Sequence, residues 1–208
     1  MNLDRKEFDA AFPSGTNRAD YLLFDKQVIC EVKEFQTIDV EKQVQKLSKK
    51  GPLPTKVFNQ YFCNSVINAI EKANHQIADT REALNCHDAA GLIVLENCIP
   101  EKMSGLTLFG AADQVMEKMP NLDCALILDL VNYFEGPESD KMRFCQLLCN
   151  RHPRSARLGE LMPTIMRTFS DQMGIPVKEG YLLHSAEQVW QGDSNGVFNR
   201  YKATLRFR

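Results

Sequence analysis

Three residues between positions 20 and 33 have the types and the spacing that hydrolysis of a phosphate ester requires. Asp20 precedes an apolar run, and after an interval of ten residues Glu31 and Lys33 lie at the end of a second run. Two carboxylates can hold a hard divalent cation such as Mg²⁺, which prefers oxygen ligands and keeps several waters. A nearby ammonium group can orient a metal-activated water or stabilise charge on a phosphoryl group. These residue types therefore indicate metal-assisted attack on phosphorus.

A β-hairpin is the element that would bring these residues together. Residues 21–24 and 28–33 are rich in β-branched and aromatic side chains, and a polar break at Asp25 and Lys26 separates them. With those two residues at the tip of the turn, the pattern predicts that Phe24 pairs with Gln27. The hairpin would then extend back from that pair in an unbroken antiparallel register.

The same register places the candidate residues on one face of the hairpin. Asp20 falls opposite Glu31, with Cβ atoms roughly 4.5–5.5 Å apart, and Lys33 shares their face because side chains alternate along a strand. Two opposed carboxylates destabilise a hairpin unless a cation lies between them. The sequence therefore predicts a cation held by Asp20, Glu31 and the carbonyl oxygen of Val32. The alternative is an exposed hairpin end, with a solvated salt bridge from one of the acids to Lys33.

The pattern from Asp20 to Lys33 resembles the signature of the PD-(D/E)XK nuclease superfamily, which includes restriction endonucleases and many repair and phage-defence nucleases. The resemblance covers only these residues. Ala19 stands where the name-giving proline would be, and many members lack that proline. It implies that Asp20 and Glu31 bind Mg²⁺ or Mn²⁺, that Lys33 is the catalytic lysine, and that DNA is the substrate.

Members of this superfamily often add an acid from the first helix, or a polar residue from the helix after the motif. The resemblance makes Glu7, with Asp9 behind it, the candidate for the first role. Gln43 is the candidate for the second role. Each of these residues could equally be an ordinary surface residue of an amphipathic helix.

The remaining periodicity predicts an α/β fold with a mixed central β-sheet flanked by helices on both faces. Apolar runs at 91–95 and 124–131, separated by a helix over 108–118, form a βαβ unit with parallel strands. The other predicted elements are helices over 4–12, 40–47, 56–84 and 157–173 and a closing strand over 201–207. We expect one domain over 1–208, with a core over about 4–131 and a C-terminal elaboration over about 137–208. The element order is similar to the restriction-endonuclease-like core.

A basic segment follows the motif and is the candidate surface for a phosphate backbone. It contains five lysines with no intervening acid: Lys42, Lys46, Lys49, Lys50 and Lys56. The whole chain has 25 basic and 27 acidic residues, so binding to a polyanion must depend on such a local patch. Residues 151–157 and 200–208 are also basic. Each patch could instead be a solvated helix face.

Composition excludes several other classes of protein. The chain has no apolar run long enough to span a membrane, and residues 1–7 lack the apolar segment of a secretory signal. The seven cysteines occur singly, which predicts reduced, mostly buried thiols and a cytoplasmic protein. Cys145, Cys149 and His152 lack a fourth ligand at zinc-site spacing. No phosphate-binding loop or dinucleotide-binding glycine motif occurs.

Two other functions fit the same residues. A catalytically inactive nuclease-fold protein could act as a binding module or scaffold, and a phosphatase on an unrelated fold could use the same metal chemistry. Little chain remains outside the core for recognition of a target. A protein partner, or a second copy in a homodimer, could therefore supply specificity.

Overall fold

A computed structural model describes residue 12 and residues 17–36, 55–99, 104–135, 141–150 and 153–173. The chain forms two compact units, Met1–Leu161 and Met162–Arg208. All the contacts discussed below lie within the first unit. The predicted helices over 4–12 and 40–47 and the predicted strand over 201–207 fall outside the described residues, apart from Phe12.

The described part of the chain contains five strands and three α-helices. The strands are β1 (Tyr21–Leu23), β2 (Val28–Gln36), β3 (Ala90–Cys98), β4 (Cys124–Glu135) and β5 (Lys141–Cys149). The helices are α1 (Thr55–Ala83), α2 (Gly105–Asp113) and α3 (Pro153–Met173), and a short 3₁₀ turn covers Met116–Lys118. Within these residues, no helix is both long enough and apolar enough to cross a lipid bilayer.

The five strands form one mixed sheet in the order β1-β2-β3-β4-β5. The strands β2, β3 and β4 are parallel, and the two outer strands are antiparallel to their neighbours. The long connection through α1 joins β2 to β3, as parallel pairing requires. The predictions of an α/β fold, a mixed sheet and parallel pairing of the two apolar runs are confirmed.

One face of the sheet packs against α1 and α2. Its buried core contains alternate residues of the three parallel strands together with residues of both helices: Ile29, Ile93, Leu95, Ile127, Ile70, Ile77 and Leu108. Glu31 and Lys33 follow Ile29 at intervals of two along β2, so they leave the sheet on this same face. The candidate residues therefore lie on the face of the sheet that α1 covers.

The hairpin of β1 and β2 has the predicted register, but its tip differs. Tyr21 lies opposite Cys30, and the ladder ends at the pair of Leu23 and Val28, one pair earlier than predicted. The next three residues all have positive φ, with Phe24 at 51°, Asp25 at 48° and Lys26 at 68°. The N–H of Gln27 closes this left-handed turn on the carbonyl oxygens of residues 23 and 24. The predicted two-residue turn is therefore wrong, because the observed turn contains three left-handed residues.

The strand β5 was not predicted. Its sequence begins with Lys141, Met142 and Arg143, and the side chains described near its end, from Cys145 to Leu148, are only partly buried. The sequence alternates polar and apolar residues only over 141–144 and loses this alternation afterwards, so the signal by which strands are predicted is short. The strand is recognised only from its antiparallel pairing with β4 in the structure.

Candidate active site

Asp20 and Glu31 are tied together through the backbone at the start of the hairpin. The N–H of Asp20 donates a hydrogen bond to Oε2 of Glu31 at 3.0 Å, and the N–H of Val32 donates to Oδ2 of Asp20 at 2.9 Å. The strand β1 begins only at Tyr21, so it offers no backbone carbonyl to the N–H of Val32 on β2. The carboxylate of Asp20 accepts that hydrogen bond instead. Each carboxylate thus accepts a hydrogen bond from the backbone of the segment that carries the other acid.

Lys33 joins this pair from the next position on the same face. Its Nζ donates to Oε1 of Glu31 and, at 3.1 Å, to Oε1 of Gln76 on α1. The amide nitrogen of Gln76 donates in turn to the carbonyl oxygen of Arg18 at 2.8 Å. Gln76 therefore connects the lysine to the segment that leads into β1.

A second residue of α1 holds the same segment. Thr80, which is fully buried, accepts a hydrogen bond from the N–H of Ala19 at 2.8 Å. Together, Gln76 and Thr80 fix the two residues directly ahead of Asp20. The helix thus positions one carboxylate through the backbone and the lysine through its side chain.

Gln76 and Thr80 were missed by the sequence analysis, which assigned the helical polar role to Gln43. Their contacts cross 43 and 61 positions of the chain, so no local pattern reports them. One signal was available, because Ala73, Gln76 and Thr80 are spaced by three and four residues and so share a helix face. Two polar residues on a face that is otherwise buried require partners.

The electrostatic character of the site differs between its two acids. Glu31 is 1% exposed, whereas Asp20 is exposed to solvent. Burial raises the pKa of Glu31 above the ordinary glutamate value, the ion pair with Lys33 opposes that rise, and the charge of Asp20 adds to it. The site therefore combines a buried carboxylate, a solvent-exposed carboxylate and a lysine whose side chain is 19% exposed.

The donor atoms suit a hard cation. In a strand paired antiparallel to its neighbour, the N–H and C=O of one residue point to the same side. Since the N–H of Val32 points to Asp20, the Val32 carbonyl lies on that side as well. Carboxylate oxygens have two lone pairs each, so the hydrogen bonds on Asp20 and Glu31 leave capacity for a metal.

A cation at this position would need ligands from outside the protein. Across the described ranges, no three His, Cys, Asp or Glu side chains are grouped in a way that could hold a metal ion. The site has two carboxylates and one carbonyl, so waters or substrate oxygens would complete the shell. This arrangement fits Mg²⁺ or Mn²⁺, which commonly bind through one or two carboxylates plus phosphate oxygens.

Several predicted site residues lie outside the described parts of the chain: Glu7, Gln43, Lys42, Lys46, Lys49 and Lys50. Lys56 is in the first turn of α1, and its side chain is not described. Of the second basic segment, Arg154 binds Asp123 through its Nε at 3.0 Å, so its charge has a structural role. The lysine patch stays a prediction.

Asp123 is the centre of a separate buried ion cluster at the start of β4. Its Oδ2 accepts a hydrogen bond from the N–H of Gly91 at 2.7 Å and lies 3.8 Å from a guanidinium nitrogen of Arg81. Asp123 is 1% exposed and Arg81 is 5% exposed. With Arg154 as its second cation, the carboxylate joins the starts of β3 and α3 and the end of α1.

Comparison with known proteins gives no independent indication of function. No family model, no curated protein and no solved structure matches this chain.

The raised pKa of Glu31 predicts how stability varies with pH in the protein without metal. The folded protein holds the Glu31 proton more tightly than the unfolded chain does, because burial disfavours the charged form. This contribution to stability is complete below the unfolded pKa and is lost as pH rises through the raised folded pKa. As pH rises above the ordinary glutamate pKa of about 4.3, we expect the wild type to lose unfolding free energy relative to Glu31→Gln. Urea unfolding of both proteins in a chelator, at a series of pH values, measures this difference. A difference that stays constant, or that moves in favour of the wild type, would contradict the assignment.

Proposed function

We propose that this protein is a Mg²⁺- or Mn²⁺-dependent nuclease that hydrolyses phosphodiester bonds of DNA. The observation that supports the proposal most directly is the convergence of Asp20, Glu31 and Lys33 through three hydrogen bonds at one end of the hairpin. A restriction-endonuclease-like core with helices on both faces of the sheet is part of the same proposal. So is a cytoplasmic location, which is supported by cysteines that occur singly along the sequence.

Each residue has a distinct role in the proposed reaction. Asp20, Glu31 and the Val32 carbonyl would hold the cation, which supplies Lewis-acid polarisation and lowers the pKa of a bound water. Lys33 has three N–H donors, and two of them go to Glu31 and Gln76. The third can orient the attacking water or bind a non-bridging phosphate oxygen. The ion pair with Glu31 holds the amine of Lys33 within the site.

DNA is the proposed substrate because the chain offers the two features that cleavage of a polynucleotide requires. These are an accessible cleavage site and a basic segment that can bind the phosphate backbone. Asp20 is exposed, so a phosphate can reach the hairpin end from solvent. The lysines at 42, 46, 49, 50 and 56 are the proposed backbone contacts. A protein partner or a homodimer would add target specificity.

One contact favours a second candidate, a nuclease-fold scaffold or binding protein without turnover. The ion pair of Lys33 with Glu31 satisfies both charges without any added cation. A hairpin end stabilised in this way has no need for a metal. Calorimetric titration with Mg²⁺ and Mn²⁺, with and without DNA, separates the two candidates, because the scaffold would bind neither ion.

The proposal is tested by incubating the full chain with linear, circular, single-stranded and branched DNA in Mg²⁺ or Mn²⁺. We expect cleavage of at least one form, abolished by a chelator and restored by excess metal. Asp20→Asn, which keeps the size of the side chain but removes its charge, should lose this activity. Cleavage that persists in Asp20→Asn would refute the assignment of the site, and a metal-binding protein that turns over only small phosphate esters would be a phosphatase.

A further inference from the structure

Two cysteines face each other across the outer pair of strands. Cys124 is the first residue of β4 and Cys149 is the last residue of β5, and the two lie directly opposite in the antiparallel register. Their sulfur atoms are 2.6 Å apart. Neither residue belongs to the candidate active site, which lies at the other edge of the sheet on β1 and β2.

The backbone at this pair suits a covalent link. The N–H of Asn150 donates to the carbonyl oxygen of Asp123 at 2.8 Å, so the adjacent pair of residues is the hydrogen-bonded type. Cys124 and Cys149 are then a non-hydrogen-bonded pair, in which the Cα atoms are about 4.5 Å apart and the side chains approach most closely. That separation lies within the range of Cα distances that a disulfide spans.

The environment of the two thiols is unequal. Cys149 is exposed, whereas Cys124 is fully buried. The contact with Cys124 lowers the pKa of Cys149, and the same contact together with burial raises that of Cys124. The other five cysteines, all of them described, have pKa values raised by burial. Cys149 is therefore the thiol that a soluble oxidant reaches first and in its most reactive form.

We propose that Cys124 and Cys149 form a reversible dithiol–disulfide site that is oxidised by peroxides. The thiolate of Cys149 attacks one peroxide oxygen, so the O–O bond breaks, an S–O bond forms and hydroxide leaves. The thiol of Cys124 then attacks the sulfur of this sulfenic acid. An S–S bond forms, the S–O bond breaks, and the oxygen leaves as water with the proton of Cys124. The two sulfurs together lose two electrons, which reduce the peroxide.

The disulfide would form where β4, β5 and α3 meet. The hydroxyl of Ser155, in the first turn of α3, is 3.1 Å from the carbonyl oxygen of Asp123 and 2.6 Å from that of Asn150. These two residues are the direct neighbours of Cys124 and Cys149. Oxidation would therefore tie the two strands together at the point where α3 begins.

Peptide mapping of the full chain after treatment with hydrogen peroxide tests the site. Trypsin cuts after Lys118, Lys141, Arg143 and Arg151, so it places Cys124 in the peptide 119–141 and Cys149 in the peptide 144–151. We expect these two peptides to become linked, with the loss of two hydrogen atoms and of two alkylatable thiols. A reducing agent should restore both thiols.

Cys145 supplies a matched control, because it lies in the same tryptic peptide and on the same strand but opposite Leu128. The Cys145→Ser variant should keep the link and Cys149→Ser should lose it. Fragmentation of the linked wild-type peptides separates Cys145 from Cys149, so the wild type alone decides the outcome if a variant does not fold. Absence of the link, a link through Cys145, or a link that persists in Cys149→Ser would overturn the proposal.

Discussion

Replacement of Lys33 by methionine should lower the rate of the proposed DNA cleavage by about 10²–10⁴-fold, the range typical for loss of a positioned acid–base or charge-stabilising group. Methionine keeps the length and apolar stem of the side chain but has no N–H to give to water or phosphate. The fold should persist, because the sheet and α1 are held by an apolar core that Lys33 does not join. Far-UV circular dichroism should therefore be unchanged.

The substitution also leaves Glu31 buried without its cation, so loss of activity must be separated from loss of stability. The double variant Glu31→Gln/Lys33→Met removes both charges and should be closer to wild type in unfolding free energy than Lys33→Met, yet equally inactive. Lys72→Met, an exposed lysine on α1, is the matched control and should cleave at the wild-type rate. Cleavage by purified Lys33→Met within a few-fold of wild type would exclude the catalytic role.

Replacement of Asp123 by alanine should cost about 3–5 kcal/mol of unfolding free energy, the usual loss when one partner of a buried ion pair is removed. The carboxylate accepts the Gly91 N–H at 2.7 Å and binds Arg154 at 3.0 Å. Without it, Arg81 keeps a buried charge beside a second cation. Urea unfolding measures the loss.

Asp113→Ala is the control for this prediction. Asp113 is an exposed aspartate at the end of α2, and its replacement should change the unfolding free energy by no more than about 0.5 kcal/mol. A loss below about 1 kcal/mol in Asp123→Ala would mean that the cluster around Asp123 is not a major source of stability.

The hairpin could be predicted because the residues that define it are close together in the sequence. Two apolar runs and the polar break between them define both strands, and the observed register is the one that places Asp20 opposite Glu31. The parallel strands β3 and β4 were predicted for a similar reason, since continuous apolar runs are typical of strands buried on both faces.

The remainder of the site depends on contacts that leave no local pattern. The spacing of Gln76 and Thr80 places both on one face of a long helix, but only the fold shows that their partners are Lys33 and Ala19. Arg154 was grouped with a basic segment because sequence shows its charge but not its partner, Asp123. Side-chain partners distant in sequence are the part that composition and periodicity do not encode.

The attachment of the hairpin to α1 also has a consequence for when the site can exist. The hydrogen bonds that order Lys33, Arg18 and Ala19 join residues 43, 58 and 61 positions apart. A nascent chain must close these loops, at an entropic cost, before the ammonium group has a fixed location. A hairpin released from the ribosome ahead of α1 has both strands but no ordered lysine, so the proposed active site is incomplete until the helix has been made and docked.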